Sequence, residues 1–143
     1  MERKEFLKTC GFTCMGAAIA SSLLESCGST KMVAGTISQS DLVVPVSSFL
    51  IKGNKFRTYV VVHNDQLSYP VCLYRFNGNV YSALFMRCTH QGTELQVFGD
   101  RLQCPAHGSE FSNKGIVGNG PADTNLRTLP VTIQNDNIYI SLK

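Results

Sequence analysis

Two short stretches, CTHQG at residues 88–92 and CPAHG at residues 104–108, decide how this chain is read. Each offers one thiol and one imidazole within a turn's width, and each ends on a glycine. The chain has 143 residues and only three histidines, two of which lie here. Gly92 and Gly108 give each stretch backbone freedom just past its histidine. Pro105 stiffens the second stretch. Between the two, TELQVFGDRLQ (93–103) reads as a hairpin turning at Gly99-Asp100. A hairpin returns the chain to where it began, so Cys88, His90, Cys104 and His107 can meet as two adjacent loops.

Two thiolates and two neutral imidazoles can hold one tetrahedral zinc. They can also hold a two-iron, two-sulfide cluster, with both thiolates on one iron and both imidazoles on the other. Structural zinc sites usually group like ligands, as C-x₂₋₄-C followed by H-x₃₋₅-H. Here each loop mixes the two types, as C-x-H and C-x₂-H. A cluster is longer than an ion, and each loop can run past it and give a Cys to one end and a His to the other. The spacing therefore favours iron over zinc.

Outward from the loops the pattern has period two. In PVCLYRF (70–76), Cys72, Tyr74 and Phe76 alternate with Val71, Leu73 and Arg75. Val80, Leu84 and Met86 share one face, as do Leu129, Val131 and Ile133, and then Ile138, Ile140 and Leu142. TYVVVH (58–63) is a β-branched run, and turn signals stand at KGN (52–54), NGN (77–79) and NDN (135–137). No helical period follows residue 41. The reading is an all-β domain of short antiparallel strands over residues 41–143, in packed sheets or a partly open barrel. Cys72 reads as a buried strand thiol and His63 as a surface or capping histidine.

The two loops resemble the paired cluster-binding boxes of Rieske iron–sulfur proteins. GNGPADTNL (118–126), with Gly120 and Pro121, resembles the loop that covers the cluster in that family, and LRTLPVTIQNDNIYI (126–140) resembles its closing strands. The resemblance implies an antiparallel β-sandwich with a small cluster subdomain at about residues 87–112. It implies a [2Fe–2S] cluster on Cys88, His90, Cys104 and His107. With four thiolates such a cluster carries about −2 when oxidised, whereas two imidazoles bring it near neutrality. Adding an electron then costs less in a low dielectric, so the family's potentials run from about −150 to +300 mV.

Two departures stand out. High-potential members brace their loops with a disulfide, and its positions fall on Thr93 and Ala106 here. Those members also aim a serine and a tyrosine hydroxyl at the cluster's sulfurs. Ser109 matches the first, while Phe111 stands in the tyrosine's place without a hydroxyl. One donor kept and one lost imply an intermediate potential.

The first 27 residues read as an export address. MERKEFLK resembles a twin-arginine signal, with Arg3-Lys4 where two arginines are usual. The apolar stretch 10–24 is about 22 Å long as a helix, too short for roughly 30 Å of hydrocarbon. LLESCGST resembles a lipobox that would lipidate Cys27, although Glu25 is unusual within one. The alternatives are an ordinary cleaved signal or a retained segment. Residues 28–40 read as a flexible polar tether. With Cys10, Cys14 and Cys27 in the address, three cysteines remain in the body, an odd count that argues against a disulfide framework.

The net charge of +3 is small and scattered, with no basic run, so nucleic acid is not an expected partner. No nucleophile or acid–base pair appears beyond the proposed ligands. The expected role is one-electron transfer by a membrane-tethered carrier, or by a small subunit of an envelope oxidoreductase, on the outer side of a bacterial cytoplasmic membrane. Its partner would be a redox protein or a cytochrome- or quinol-linked membrane complex. The other readings are a ferredoxin-like donor to an oxygenase and a zinc-stabilised binding module.

Overall fold

The alternation in PVCLYRF becomes a strand buried on both faces. The computed structural model describes residues 29–143. Its centre is a five-stranded sheet in the order β1 (Met32–Ala34), β6 (Tyr59–His63), β7 (Val71–Arg75), β8 (Tyr81–Phe85) and β13 (Thr128–Leu129). One face of β7 sends Val71 and Leu73 into a core with Leu42, Val44, Phe49 and Ile138. The other sends Cys72 and Tyr74 into a second core with Leu84, Leu102, Phe111 and the thiols of Cys88 and Cys104. Burial on both faces makes the run continuously apolar instead of alternating between core and solvent.

A four-stranded sheet, β14 (Val131–Gln134), β15 (Asn137–Ser141), β3 (Asp41–Pro45) and β2 (Thr36–Ser38), covers the first face. A second, β12 (Val117–Asn119), β11 (Glu110–Ser112), β10 (Arg101–Gln103) and β9 (Gln96–Phe98), covers the other. The described residues are thus an antiparallel β-sandwich with a small added sheet, as expected for the fold class. Among the described residues only β1 and β6 pair in parallel. A 3-10 turn (Val46–Phe49) and a small hairpin of β4 (Leu50–Ile51) and β5 (Lys55–Phe56) are the other elements among the described residues.

Three expectations are corrected. Residues 28–40 are not all tether, because β1 and β2 both fall within them. Between these strands the chain crosses from one sheet to the other at Gly35, where a Cβ would lie 2.6 Å from Leu42 and 2.7 Å from Val62. The small residues that resemble a linker are what permit this close passage. Second, the small sheet does not stop near residue 112 but runs through β12 to Asn119, past a register shift at Glu110/Phe111. Third, Val80 does not share the face of Leu84 and Met86. It lies in the turn before β8 and is exposed, its N–H bonded to the Asn77 carbonyl.

Leu129, Val131 and Ile133 do pack against one core, but on two sheets, because Pro130 breaks the run between β13 and β14. Arg3, Lys4 and Cys27 lie outside the described residues. Among the described residues no helix is long and apolar enough to cross a membrane.

Candidate metal centre

The strand β8 delivers the first loop and β10 the second. The turn at Gly99-Asp100 joins β9 to β10 with Val97 opposite Leu102, the hairpin read from the sequence. The two loops then close with the same pair of backbone bonds. In the first, Cys88 N–H donates to the Thr93 carbonyl at 2.8 Å and Gly92 N–H donates to the Cys88 carbonyl at 2.8 Å. In the second, Cys104 N–H donates to the Ser109 carbonyl at 2.8 Å and Gly108 N–H donates to the Cys104 carbonyl at 3.0 Å. Gly92 and Gly108 have φ of 78° and 79°, the left-handed region that disfavours a Cβ. The different C-x-H and C-x₂-H spacings are therefore carried by one loop geometry.

That geometry separates the donors by depth. Cys88 and Cys104 are buried at 1% and 3% exposure, whereas His90 and His107 are exposed. The two imidazole centroids are 5.1 Å apart with ring planes at 82°. The Cys88 side chain hydrogen-bonds with that of Cys104. Burial pushes the Cys104 thiol up, but this is outweighed. Backbone N–H groups of Ala106 and His107 bond its sulfur, with the Cys88 and Thr93 side chains, and hold it below the usual cysteine range. Donors already aimed at sulfur suit a thiolate ligand.

Among the described residues, no three His, Cys, Asp or Glu side chains converge on one point as a single-ion site requires. The four donors form an inner sulfur pair and an outer imidazole pair. That division fits a two-metal cluster better than one tetrahedral zinc.

The segment expected to cover the site, at Gly120-Pro121, bonds to both loops through Ala122 and Thr124. Ser109 is fully buried and its hydroxyl accepts the Ala122 N–H at 3.0 Å, next to Gly120-Pro121. That bond leaves the Ser109 O–H free to donate. Phe111 is buried in the same core as both thiols. Cys72 is buried with them, and burial pushes its thiol up to about 12 despite a hydrogen bond with Tyr74. His63 is exposed at the end of β6, away from the other two histidines in the chain order.

Two supports were not read from the sequence. Thr89 donates to the Thr124 carbonyl at 2.6 Å and ties the first loop to the covering loop. Tyr69 donates to the Gly92 carbonyl at 2.6 Å. Thr89 lies inside CTHQG and could have been suspected there, but Tyr69 is 23 residues away from Gly92 and carries no local signal.

The model of the Rieske [2Fe-2S] domain family matches residues 39–130. The cytochrome b6-f complex iron-sulfur subunit of Synechococcus sp. (strain CC9605) is 36% identical over 56 residues, or 38% of this chain and 32% of that protein. Subunit 2 of the same complex in Trichormus variabilis is 28% identical over 108 residues, 68% of this chain and 56% of the relative. The chain thus spans less than two thirds of the length of these curated relatives. The cyanobacterial plasma membrane Rieske protein of Synechocystis PCC 6803 has a similar structure, with 28% identity and a TM-score of 0.51 over 59% of this chain and 86% of that one. The Sphingomonas yanoikuyae B1 ferredoxin has 25% identity and a TM-score of 0.50, over 68% of this chain and 92% of that one.

Proposed function

The chain belongs to the Rieske [2Fe-2S] family, and from that premise we propose that it is a one-electron carrier held at the outer side of a cytoplasmic membrane. It works alone or as a small subunit of an envelope oxidoreductase. The buried Cys88 and Cys104 and the exposed His90 and His107 would hold the cluster. The bound cluster supplies reversible one-electron chemistry.

The observation that carries this reading is the pair of matched loops, which bury the thiols and leave both imidazoles at the surface. The sulfur end is kept from water by Leu102, Phe111 and the covering loop. The exposed imidazoles offer the short path by which a partner exchanges electrons. Ser109 presents a hydroxyl proton from within the core, and Thr93 and the amides of Ala106 and His107 favour the ionised Cys104. The lipid anchor at Cys27 and the export signal at Arg3-Lys4 belong to the same proposal. The membrane location of the Synechocystis protein supports it.

The test is metal analysis of protein matured in cells able to assemble clusters. Two irons and two labile sulfides per chain are expected, with a low average g-value in the reduced form. Stoichiometric zinc without sulfide would overturn the assignment. A second reading, a ferredoxin-like donor to an oxygenase, is favoured by Thr93 and Ala106, which cannot form the disulfide brace of high-potential members, and by the likeness to the Sphingomonas ferredoxin. Export separates the two. The carrier reaches the envelope and loses export when Arg3 and Lys4 are neutralised, whereas an oxygenase donor stays in the cytoplasm.

A further inference from the structure

The register of the central sheet separates two ends of the molecule. Val62, Val71 and Phe85 lie side by side at one end, and the first loop follows Phe85 directly. Tyr59, Tyr74 and Ser82 lie at the other. The chain enters at this second end: β1 runs parallel to β6, the Lys31 carbonyl accepts the Val61 N–H at 2.9 Å, and the Thr30 and Tyr59 hydroxyls bond at 3.4 Å. The β4–β5 hairpin leads into Tyr59 and so belongs to the same end. From Tyr81 to Phe85 the extended strand covers about 13 Å, and the first loop follows it.

The entry end has an unusual surface. At this end Leu50 is 46% exposed, Ile51 37% and Phe56 40%, and beside it Met32, opposite Val61 on the edge strand, is 51% exposed. Leu50 pairs with Phe56 on one face of the hairpin, and a shallow groove joins Leu50 to Lys31 and Met32. Lys31, Lys52 and Lys55 are exposed among these apolar groups, and Arg75 stacks over the Phe56 ring at 3.9 Å. Residues 29–40 and 42–64 contain no acidic side chain. The hairpin itself carries Lys52 and Lys55 and no acid, while Glu94 lines a groove on the other side of Met32 and Asp100 lies near Arg75. Apolar groups fringed by lysines on the hairpin match an anionic bilayer surface.

We propose that Met32 and the β4–β5 hairpin dock on anionic phospholipid, with Leu50, Ile51 and Phe56 in the interface and Lys31, Lys52 and Lys55 among the headgroups. From the proposed function this takes only the anchor at Cys27. Three residues separate Cys27 from Lys31, a reach of at most about 14 Å over four Cα steps, so an anchored chain holds this end against lipid. Docking turns His90 and His107 to the aqueous side, toward a water-soluble redox partner.

The chain contains no tryptophan, so one introduced residue reports alone. Phe56→Trp and, as a control, Gln66→Trp in the exposed loop at the opposite end are made in the full chain. Each is mixed with phosphatidylcholine vesicles, with and without phosphatidylglycerol, some carrying brominated acyl chains. Trp fluorescence at 56 is expected to shift to the blue and be quenched by brominated anionic vesicles, while that at 66 is unchanged. Lys52→Glu with Lys55→Glu should weaken the binding reported at 56 by about tenfold or more. Leu50→Trp is the second reporter if Phe56→Trp does not fold.

A position 56 that stays as solvent-exposed as position 66 on bound vesicles overturns the docking proposal, as does burial of this hairpin between two copies without lipid. The anchor is read separately, by whether Cys27→Ser releases the protein from cell membranes. Retention of Cys27→Ser with a quenched reporter at 56 refutes the anchor and leaves the docking face standing.

Discussion

The buried hydroxyl of Ser109 accepts the backbone N–H of Ala122 at 3.0 Å, joining the second loop to the loop that covers it. Ser109→Ala leaves that buried N–H without a partner, which costs about 1–3 kcal/mol. The variant should melt at a lower temperature. It should also lose the donor that favours an electron-rich cluster, so its potential should fall by roughly 40–65 mV. Calorimetry and protein-film voltammetry measure the two effects. A Ser109→Ala potential equal to the wild type's would show that the hydroxyl proton points elsewhere.

Phe111 lies opposite Leu102 in the same core as Cys88 and Cys104. Phe111→Tyr adds a hydroxyl there. A donor reaching a ligating sulfur should raise the potential, again by roughly 40–65 mV. An unchanged or lower potential, with reduced stability, would mean that the hydroxyl is buried without a partner and that the tyrosine's role does not transfer to this position.

Replacing an outer ligand tests the neutral imidazoles. His107→Cys exchanges a neutral donor for a charged one, so reduction should become harder. If a cluster still assembles, redox titration should give a lower potential than the wild type's. A higher one would contradict the ligand assignment.

The loop glycines make a stability prediction. At Gly108 nothing lies within 4 Å of where a Cβ would stand, so Gly108→Ala tests the backbone alone. The left-handed conformation should cost about 1–2 kcal/mol. At Gly92 the added Cβ also meets the Arg87 guanidinium at 3.2 Å, a flexible group that can give way, so Gly92→Ala should cost about the same. Urea denaturation of both variants measures this, and a cost near zero at Gly108 would count against its backbone geometry.

Cys72 makes a pH prediction. Its thiol is raised from 9.0 to about 12 in the folded chain. The unfolded chain therefore releases the proton first. The contribution to stability is complete below about pH 9 and is lost as pH rises toward about 12. Cys72→Ala should flatten this alkaline decline in urea midpoints. At pH 8 the native thiol should resist iodoacetamide, and rapid labelling would show that it is neither buried nor held neutral.

The candidate donor set could be proposed from the chain because its chemistry is local: a thiol and an imidazole two or three residues apart, each followed by glycine. The strands were legible for a similar reason, since residues two apart share a face wherever the chain pairs. The turn at Gly99-Asp100 likewise needs only its own residues. Depth was not local. The burial of Cys88 and Cys104 below exposed His90 and His107 comes from the stacking of the small sheet on β7 and β8. The same stacking encloses Cys72, and the sheet of β14, β15, β3 and β2 on the opposite face gives PVCLYRF its second core. Gly35 looks like a linker residue until Leu42 and Val62 close around it from two sheets. Tyr69 reaches Gly92, and Ser109 reaches Ala122, only after the sheets have brought distant segments together. Side-chain spacing along the chain determined which groups could bind metal, whereas sheet packing decided which of them face solvent, because burial depends on neighbours far away in sequence.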